Sequence, residues 1–151
     1  MRLFDAAPLI ALVAAEPGES AVAALIAEGE AFIPAPNLAE VIDSLSRRQR
    51  LSESRLRAVL NPLLELSLTV LETDAEQAWR AGLLRARHYH RSRRPLSVLD
   101  CMLLACAGPS DTIVTSDRPL LAAASAEGIA VEPVPDSRGE QPQPEGAQPG
   151  R

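Results

Sequence analysis

The stretch MRLFDAAPLIAL, residues 1–12, defines the first strand and the first helix of the predicted fold. Residues 2–4 have the composition of a short buried strand, and residues 7–15 that of a helix broken by Pro17 and Gly18. Asp5 lies between the two elements. A carboxylate at this point either caps the helix or belongs to a charged site that distant segments complete.

The same order, a short apolar strand followed by one or two helices, repeats along the chain. Strands are predicted at residues 2–4, 31–34, 67–71, 112–114 and 129–134. Helices are predicted at residues 7–15, 19–28, 37–49, 53–66, 74–87, 97–107 and 119–127. Pro62 is expected to bend or split the fourth of these helices. Strands that are apolar throughout are typical of a parallel sheet covered on both faces, so the sequence predicts an α/β fold with five parallel strands between helices.

Composition predicts one domain with an aliphatic core at residues 1–134, since 46% of the 151 residues are apolar and 3% aromatic. Residues 135–151 are rich in Pro, Gly and Gln and are predicted to form a disordered tail. No apolar run has the length of a membrane span, and the N-terminus does not resemble a signal peptide. With two cysteines expected to be reduced thiols, the chain is predicted to be a cytoplasmic protein without membrane contact.

All 15 basic side chains of the Lys and Arg classes are arginines, although the net charge is −5. The stretch RARHYHRSRR, residues 85–94, holds five of these arginines with two histidines around Tyr89. A planar guanidinium suits phosphate and stacks on bases. The stretch is therefore either a solvated helix end or a basic surface that binds phosphate.

Four acidic residues occupy positions where an α/β fold forms ligand sites. Asp5 and Asp117 follow the first and fourth strands, and ligands of open α/β sheets bind outside the carboxyl ends of strands. Glu40 and Asp100 lie in helices with apolar neighbours, and those around Asp100 leave no obvious solvated face. Because carboxylates in such places need a cation, they predict a site for Mg²⁺ or Mn²⁺ acting on a phosphodiester. Alternatively, each acid separately forms a cap, a salt bridge or a core hydrogen bond.

In this order and spacing, four segments resemble the PIN-domain family, in particular the VapC-type toxins of bacterial toxin–antitoxin pairs. The segments are LFDAAPLIAL, NLAEVIDSL, LSVLDCMLLACA and IVTSDRPL, which begin at residues 3, 37, 96 and 113. The resemblance covers roughly residues 1–134. It implies a PIN-like three-layer α/β/α sandwich and an endoribonuclease that uses Mg²⁺ or Mn²⁺ to hydrolyse RNA. It also implies a homodimer and neutralisation by a cognate antitoxin protein.

Carried over by position, the resemblance makes Asp5, Glu40, Asp100 and Asp117 both catalytic residues and metal ligands. Asp5 and Asp100 are expected to be the most direct ligands, whereas Glu40 and Asp117 are expected to bind through water. Thr115 matches a position that often carries a hydroxyl in the family. It is expected to orient Asp117 or the water.

Further positions bear on this site. Asn37 and Asp43 lie three residues either side of Glu40, on one helical face, and are candidates to support it or plain surface residues. The family commonly has Ser or Thr where this chain has Ala7, so a possible hydrogen bond to the site is missing. The basic stretch at residues 85–94 precedes the helix of Asp100, where it would bind RNA phosphates or an acidic antitoxin segment.

The same residues leave three alternatives to a ribonuclease. The main one is a catalytically silent domain of this fold that binds RNA or protein, which Ala7 favours and the four acids oppose. A hydrolase of the haloacid dehalogenase type also begins with a strand ending in Asp, but it needs a second acid where Ala7 stands. A structure-specific DNA nuclease of the same broad fold needs additional elements for which the chain is short.

Overall fold

The five strands form one sheet in which all neighbours run parallel, as predicted. The computed structural model describes residues 1–143. Its strands are β1 (Arg2–Phe4), β2 (Ala31–Pro34), β3 (Leu68–Leu71), β4 (Thr112–Thr115) and β5 (Ala130–Pro133). They lie in the order β3-β2-β1-β4-β5. The predicted α/β class with a central parallel sheet is therefore confirmed.

Seven helices within residues 1–143 connect the strands. They are α1 (Ala6–Ala14), α2 (Glu19–Ala27), α3 (Ala35–Arg48), α4 (Glu53–Leu66), α5 (Ala75–His88), α6 (Val98–Cys106) and α7 (Arg118–Ala126). Pro62 does not split α4, which continues to Leu66. Pro62 and Ala58 are both exposed, so water can bond the Ala58 carbonyl that loses its N–H partner.

The side chains of β1 and β4 alternate between two apolar cores, one on each face of the sheet. Leu3 and Ile113 pack into the core formed with α5, α6 and α7. Phe4 and Val114 pack into the core formed with α1, α2, α3 and α4. Successive residues of a strand point to opposite faces, so these two strands contribute to both cores. This double burial explains why their central residues are apolar without alternating.

The sheet has its switch point at β1, which lies between β2 and β4. The chain first passes from β1 to β2 on one side and later returns to β4 on the other side. In such a sheet a crevice opens at the carboxyl ends of the two strands where the winding reverses. Phe4 is in register with Val114, and the next N–H, that of Asp5, donates to the Val114 carbonyl at 3.0 Å. The residues that follow β1 and β4 are thereby brought to one edge.

The helices α1 and α2 are apolar and follow one another near the N-terminus. No single helix in the described part of the chain is long and apolar enough to cross a bilayer. The α1–α2 pair together has the required length and composition, but the two helices meet at 111°. Leu9, Val22 and Ile26 from this pair are buried in the core beneath the sheet.

The chain after β5 makes specific contacts up to the end of the described residues. The Asp136 carboxylate accepts backbone N–H bonds from Arg138 and Glu140, both at 2.9 Å, which closes a turn. The Gln141 side chain donates to the Pro133 carbonyl at 2.9 Å. These hydrogen bonds form a local turn within the segment for which the sequence predicts a disordered tail. The remainder of that predicted tail, residues 144–151, lies outside the described residues.

Candidate active site

The four acidic side chains singled out from the sequence line one cleft of about 210 Å³, here called the acidic cleft. Asp5 directly follows β1, and Asp117 is the N-cap of α7, which follows β4. Glu40 belongs to α3, and Asp100 lies in the first turn of α6. Four separate segments therefore supply one carboxylate each, because the parallel sheet brings its strand ends to the same edge.

Asp5 is the most deeply buried of these acids, with 5% of its surface exposed. Its Oδ1 accepts the backbone N–H of Ala6 at 2.7 Å, and its Oδ2 accepts the hydroxyl of Thr115 at 2.8 Å. Burial, followed by the nearby Asp100 carboxylate, raises the pKa of Asp5 from 3.8 to about 7. Asp5 is thus a helix cap and a member of the acidic cleft at once.

Thr115 connects the first acid of the chain to the last. It is fully buried. Its Oγ1 donates to Asp5 and accepts the backbone N–H of Asp117 at 3.0 Å. The hydroxyl therefore holds the Asp5 carboxylate and the turn that presents Asp117. It contacts Asp117 through the main chain rather than through the carboxylate.

Asp100 and Asp117 also accept hydrogen bonds at helix N-termini. Asp117 Oδ1 accepts the N–H of Leu120 at 2.7 Å at the start of α7. Asp100 Oδ2 accepts the N–H of Ser97 at 2.6 Å in a capping box at the start of α6. The N-terminal ends of α1, α6 and α7 therefore converge on the cleft. Their partial positive charges offset part of the repulsion between the carboxylates.

Burial and mutual repulsion act on the other acids as well. Burial is the largest cause of the raised pKa of Glu40 and of Asp117, and the Asp100 carboxylate raises both further. The Arg48 guanidinium on the rim opposes the rise at Glu40. Several carboxyls with raised pKa values in one cleft are typical of a site that is completed by a cation.

The ligand chemistry of the cleft suits a hard divalent cation, since Mg²⁺ and Mn²⁺ prefer carboxylate and water oxygens. As they stand, however, no three Asp, Glu, His or Cys side chains within residues 1–143 are arranged to hold a metal ion. The fit is therefore one of charge and donor type. A metal ion held by these acids would require movement of the partly exposed carboxylates Glu40, Asp100 and Asp117.

Asp100, Asn37 and Asp43 differ in how deeply the structure buries them. Asp100 is half-buried rather than enclosed, because it lies in an exposed first turn where Val98 is 59% exposed. Asn37 is fully buried, and its Nδ2 donates to the Leu99 carbonyl at 3.4 Å, which connects α3 to α6. Asp43 is exposed on the rim of the cleft, where Arg47, one helical turn further on, forms a salt bridge with it at 2.8 Å.

Sequence reasoning missed three cleft residues, Ser44, Arg47 and Arg48. All three follow Glu40 on α3 at spacings of four, seven and eight residues, which puts them on its face of the helix. This helical spacing is the feature of the sequence that could have identified them as neighbours of Glu40. The Ser44 hydroxyl and the Asn37 Oδ1 are buried and have no hydrogen-bond partner among the described residues.

Comparison with known proteins places this fold in a family. A family model described as the PIN domain matches residues 2–126. The fold is similar to DNA-bound VapBC from Salmonella typhimurium, with a TM-score of 0.61 and 23% identity over 87% of this chain and 96% of that chain. It is also similar to FitAcB from Neisseria gonorrhoeae (TM-score 0.58, 21% identity, 87% of this chain and 96% of that chain). A third similar structure is PAE2754 from Pyrobaculum aerophilum (TM-score 0.58, 24% identity, 86% and 87%).

A search of curated proteins finds no match to this sequence. The structural similarities are all below 25% identity and therefore concern the fold. The family model, in contrast, spans most of the sequence and includes the segments of all four cleft acids. On that ground the chain belongs to the PIN-domain family.

Proposed function

We propose that this protein is an endoribonuclease that hydrolyses RNA phosphodiester bonds with Mg²⁺ or Mn²⁺, and that it is the toxin of a toxin–antitoxin pair. PIN domains are in general nucleases, so membership of the family supports a hydrolase acting on nucleic acid. The observation that carries the proposal is the convergence of four carboxylates from four segments on one cleft. If each acid had only a structural role of its own, nothing would require the four negative charges to lie in one cleft, where they repel one another.

In this proposal Asp5, Glu40, Asp100 and Asp117 would hold the ion. When bound, the ion would stabilise charge on the phosphoryl oxygens and lower the pKa of the attacking water. Two hydrogen bonds fix the Asp5 carboxylate, which would give the ion one ligand in a fixed position. Glu40, which is half-buried on α3, would turn toward the other carboxylates to join them.

The residues around the acids have supporting roles in this proposal. Thr115 fixes the positions of two acids relative to one another. Arg47 and Arg48 line the cleft on the α3 side and place positive charge where a phosphate would approach. The Ser44 hydroxyl is buried without a partner among the described residues, and a water bound at the edge of the cleft would satisfy it.

The proposed partners are RNA, a cognate antitoxin and a second copy of the chain, in the cytoplasm. Two of the structures with a similar fold carry the names VapBC and FitAcB, which supports a protein partner of the antitoxin kind. The sequence resemblance to VapC-type toxins supports the same partner. An antitoxin that covers the acidic cleft would block the nuclease.

The test is RNA cleavage by purified protein freed of its antitoxin, with Mg²⁺, with Mn²⁺ and with EDTA. Asp5→Asn and Asp100→Asn remove one carboxylate charge each, and Glu65→Gln makes the same charge change at an exposed position of α4. We expect the wild type and Glu65→Gln to cleave RNA with either ion, and we expect EDTA to abolish this cleavage. The two cleft variants should lose about a hundredfold or more in rate.

Two outcomes would contradict this proposal. Cleavage that survives EDTA, or equal rates in the cleft variants, would show that the acids do not act with a metal. RNA binding without cleavage in either ion would favour the catalytically silent binding module.

A further inference from the structure

A second, larger cavity of about 1080 Å³ opens at the N-terminal end of α7. Its basic lining comprises Arg87, His88, His90, Arg93, Arg94 and Arg118. We call this cavity the arginine pocket. Among the described residues, Glu140 is the only acidic side chain that lines it. Positive charge is thus concentrated here in a protein whose net charge is −5.

The arginine pocket adjoins the acidic cleft through the starts of α7 and α6. Asp117 and Arg118 are consecutive residues, and the first lines the cleft while the second lines the pocket. Residues 89–97, which supply three of the basic side chains, lead directly into α6 and its Asp100. An extended polyanion that crosses the acidic cleft in this direction therefore meets the arginine pocket next.

Hydrogen bonds hold the wall of the pocket in place. The His88 side chain is only 8% exposed, and its Nε2 lies 2.5 Å from the carboxylate of Glu127. Its Nδ1 lies 3.1 Å from Nη1 of Arg94. His90 Nδ1 accepts the backbone N–H of Arg93 at 3.1 Å, which closes the turn. Because the turn is already ordered, binding of an anion costs less conformational entropy.

The outer arginines of the pocket are accessible to an anion. Arg93 is exposed. Arg118 is 69% exposed, and its contact with the carboxylate of Glu140 is long, at 3.8 Å. A phosphate offers a guanidinium two parallel hydrogen bonds and would compete well with so distant a carboxylate. Tyr89, 43% exposed and stacked against Arg85 at 4.4 Å, adds an aromatic ring to the wall.

We propose that the arginine pocket binds the phosphate backbone of a single-stranded RNA whose scissile bond lies in the acidic cleft. The inference rests on the proposed nuclease function and names the place where its substrate continues. Arginines beside an aromatic ring are a combination that suits single-stranded nucleic acid. An acidic protein segment would use the same arginines, but the aromatic ring and the adjoining acidic cleft favour RNA.

The test measures binding of a fluorescently labelled oligouridylate by anisotropy in EDTA, over a series of salt concentrations. Arg93→Gln and Arg118→Gln each remove one exposed guanidinium from the pocket. Arg57→Gln makes the same charge change on α4, where its side chain is 69% exposed. We expect each pocket variant to weaken binding about threefold to tenfold and to reduce the salt slope by about one. Arg57→Gln should bind as the wild type does, and Glu140→Gln should bind more tightly.

Equal affinities and salt slopes for the pocket variants and Arg57→Gln would overturn the proposal. So would pocket variants that keep their affinity for RNA and lose affinity for polyglutamate, because the pocket would then serve an acidic protein. The measurement is independent of cleavage, since EDTA removes divalent ions. A failure of the nuclease function would appear separately, as absent cleavage with Mg²⁺ and Mn²⁺ by a protein whose RNA binding still depends on Arg93 and Arg118.

Discussion

At the scale of single residues, the Thr115 hydroxyl makes one donated and one accepted hydrogen bond inside the protein. Thr115→Val keeps the shape and removes both bonds. We expect a loss of about 1–3 kcal/mol in the free energy of unfolding, because Asp5 Oδ2 and the Asp117 N–H lose a partner in a buried place. RNA cleavage should fall as well, since both acids lose their positioning. Chemical denaturation and cleavage rates measure the two effects.

Thr115→Ser is the matched control, because it keeps the hydroxyl and removes only a methyl group. It should restore most of the cleavage rate even though it leaves a small cavity. A Val variant as active as the wild type would show that the hydroxyl does not position the acids.

The buried Asp5 carboxylate is expected to lower the free energy of unfolding, although it is part of the proposed site. Its pKa is about 7 in the folded protein against an ordinary value of 3.8, so between these pH values the folded state keeps a proton that the unfolded state releases. The stability of the wild type should therefore fall as the pH rises from about 4 to 7, and the penalty should persist above pH 7. Asp5→Asn has no such penalty. We expect it to raise the free energy of unfolding at pH 8 by about 3 kcal/mol, after allowing about 1 kcal/mol for one lost hydrogen bond.

Denaturation in EDTA at pH 4 and at pH 8 checks this expectation. The advantage of Asp5→Asn should be absent at the lower pH and full at the higher one. Glu65→Gln, at an exposed position, should show no difference that depends on pH in this way. An Asp5→Asn variant less stable than the wild type at pH 8 would contradict the view that the buried charge is costly.

At the scale of elements, α3 and α6 form one unit across the cleft. Glu40 and Asp100 come from these two helices, and the Asn37 side chain links them through the Leu99 carbonyl. The helical spacing in the sequence placed Asn37 on the same face as Glu40. It did not show that Asn37 is buried, because its partner Leu99 is 62 residues away in the chain. Burial of this face depends on helix packing that no local pattern contains.

One carboxylate at the C-terminal end of α7 contacts the end of α5, where the segment that leads to α6 begins. Glu127 Oε1 accepts from Arg87 at 2.8 Å and lies 2.5 Å from His88 Nε2, and these bonds, with His88 the larger cause, lower the pKa of Glu127. We expect Glu127→Gln to cost about 1 kcal/mol or less, since the exposed Arg87 is screened by solvent. Amide exchange at His90 and Arg94, which bond one another through their main chains, should become faster.

The pH dependence of this effect has a definite sign. Because folding lowers the pKa of Glu127, its ionised carboxylate stabilises the folded protein fully above pH 4.5, the ordinary pKa of a glutamate. This stabilisation is lost as the pH falls through the pKa of Glu127 in the folded protein. The difference between wild type and Glu127→Gln should therefore disappear in acid. Glu132→Gln, on the exposed face of β5, should leave the exchange rates unchanged. Unchanged rates in Glu127→Gln would mean that the segment is held by other contacts.

At the scale of the whole molecule, two large apolar side chains on α5 remain exposed. Trp79 is 71% and Leu83 is 55% exposed, and a spacing of four residues puts them on one helical face. Exposed apolar groups of this size are typical of protein interfaces. We expect the homodimer implied by the sequence resemblance to use this face, so that Trp79→Ser with Leu83→Ser yields a monomer.

Size-exclusion chromatography with light scattering measures the change in mass. Leu66→Ser is the control, because Leu66 is 83% exposed at the end of α4, which packs on the opposite face of the sheet from α5. It should leave the dimer intact. A wild type that is a monomer at every concentration tested would refute the dimer, and a double variant that remains a dimer would refute the role of α5.

The sequence alone was sufficient for the order of elements and for the parallel sheet. The strands are short apolar runs bounded by Pro, Gly and polar residues, and such local patterns reflect burial on both faces of a sheet. It was also sufficient to select Asp5, Glu40, Asp100 and Asp117, since a carboxylate beside buried strands and helices stands out from its neighbours. The tertiary structure shows that all four line one cleft.

Only the tertiary structure decided how these residues are held and what lies beside them. The Thr115 bridge joins residues 110 positions apart. The arginine pocket joins the segment after α5, the start of α7 and residues 140–143, which no window of the sequence brings together. The half-exposure of Asp100 and the rim residues Arg47 and Arg48 likewise depend on packing between helices. Local patterns record the periodicity and burial of each element, whereas distances between elements arise from the packing of the whole chain.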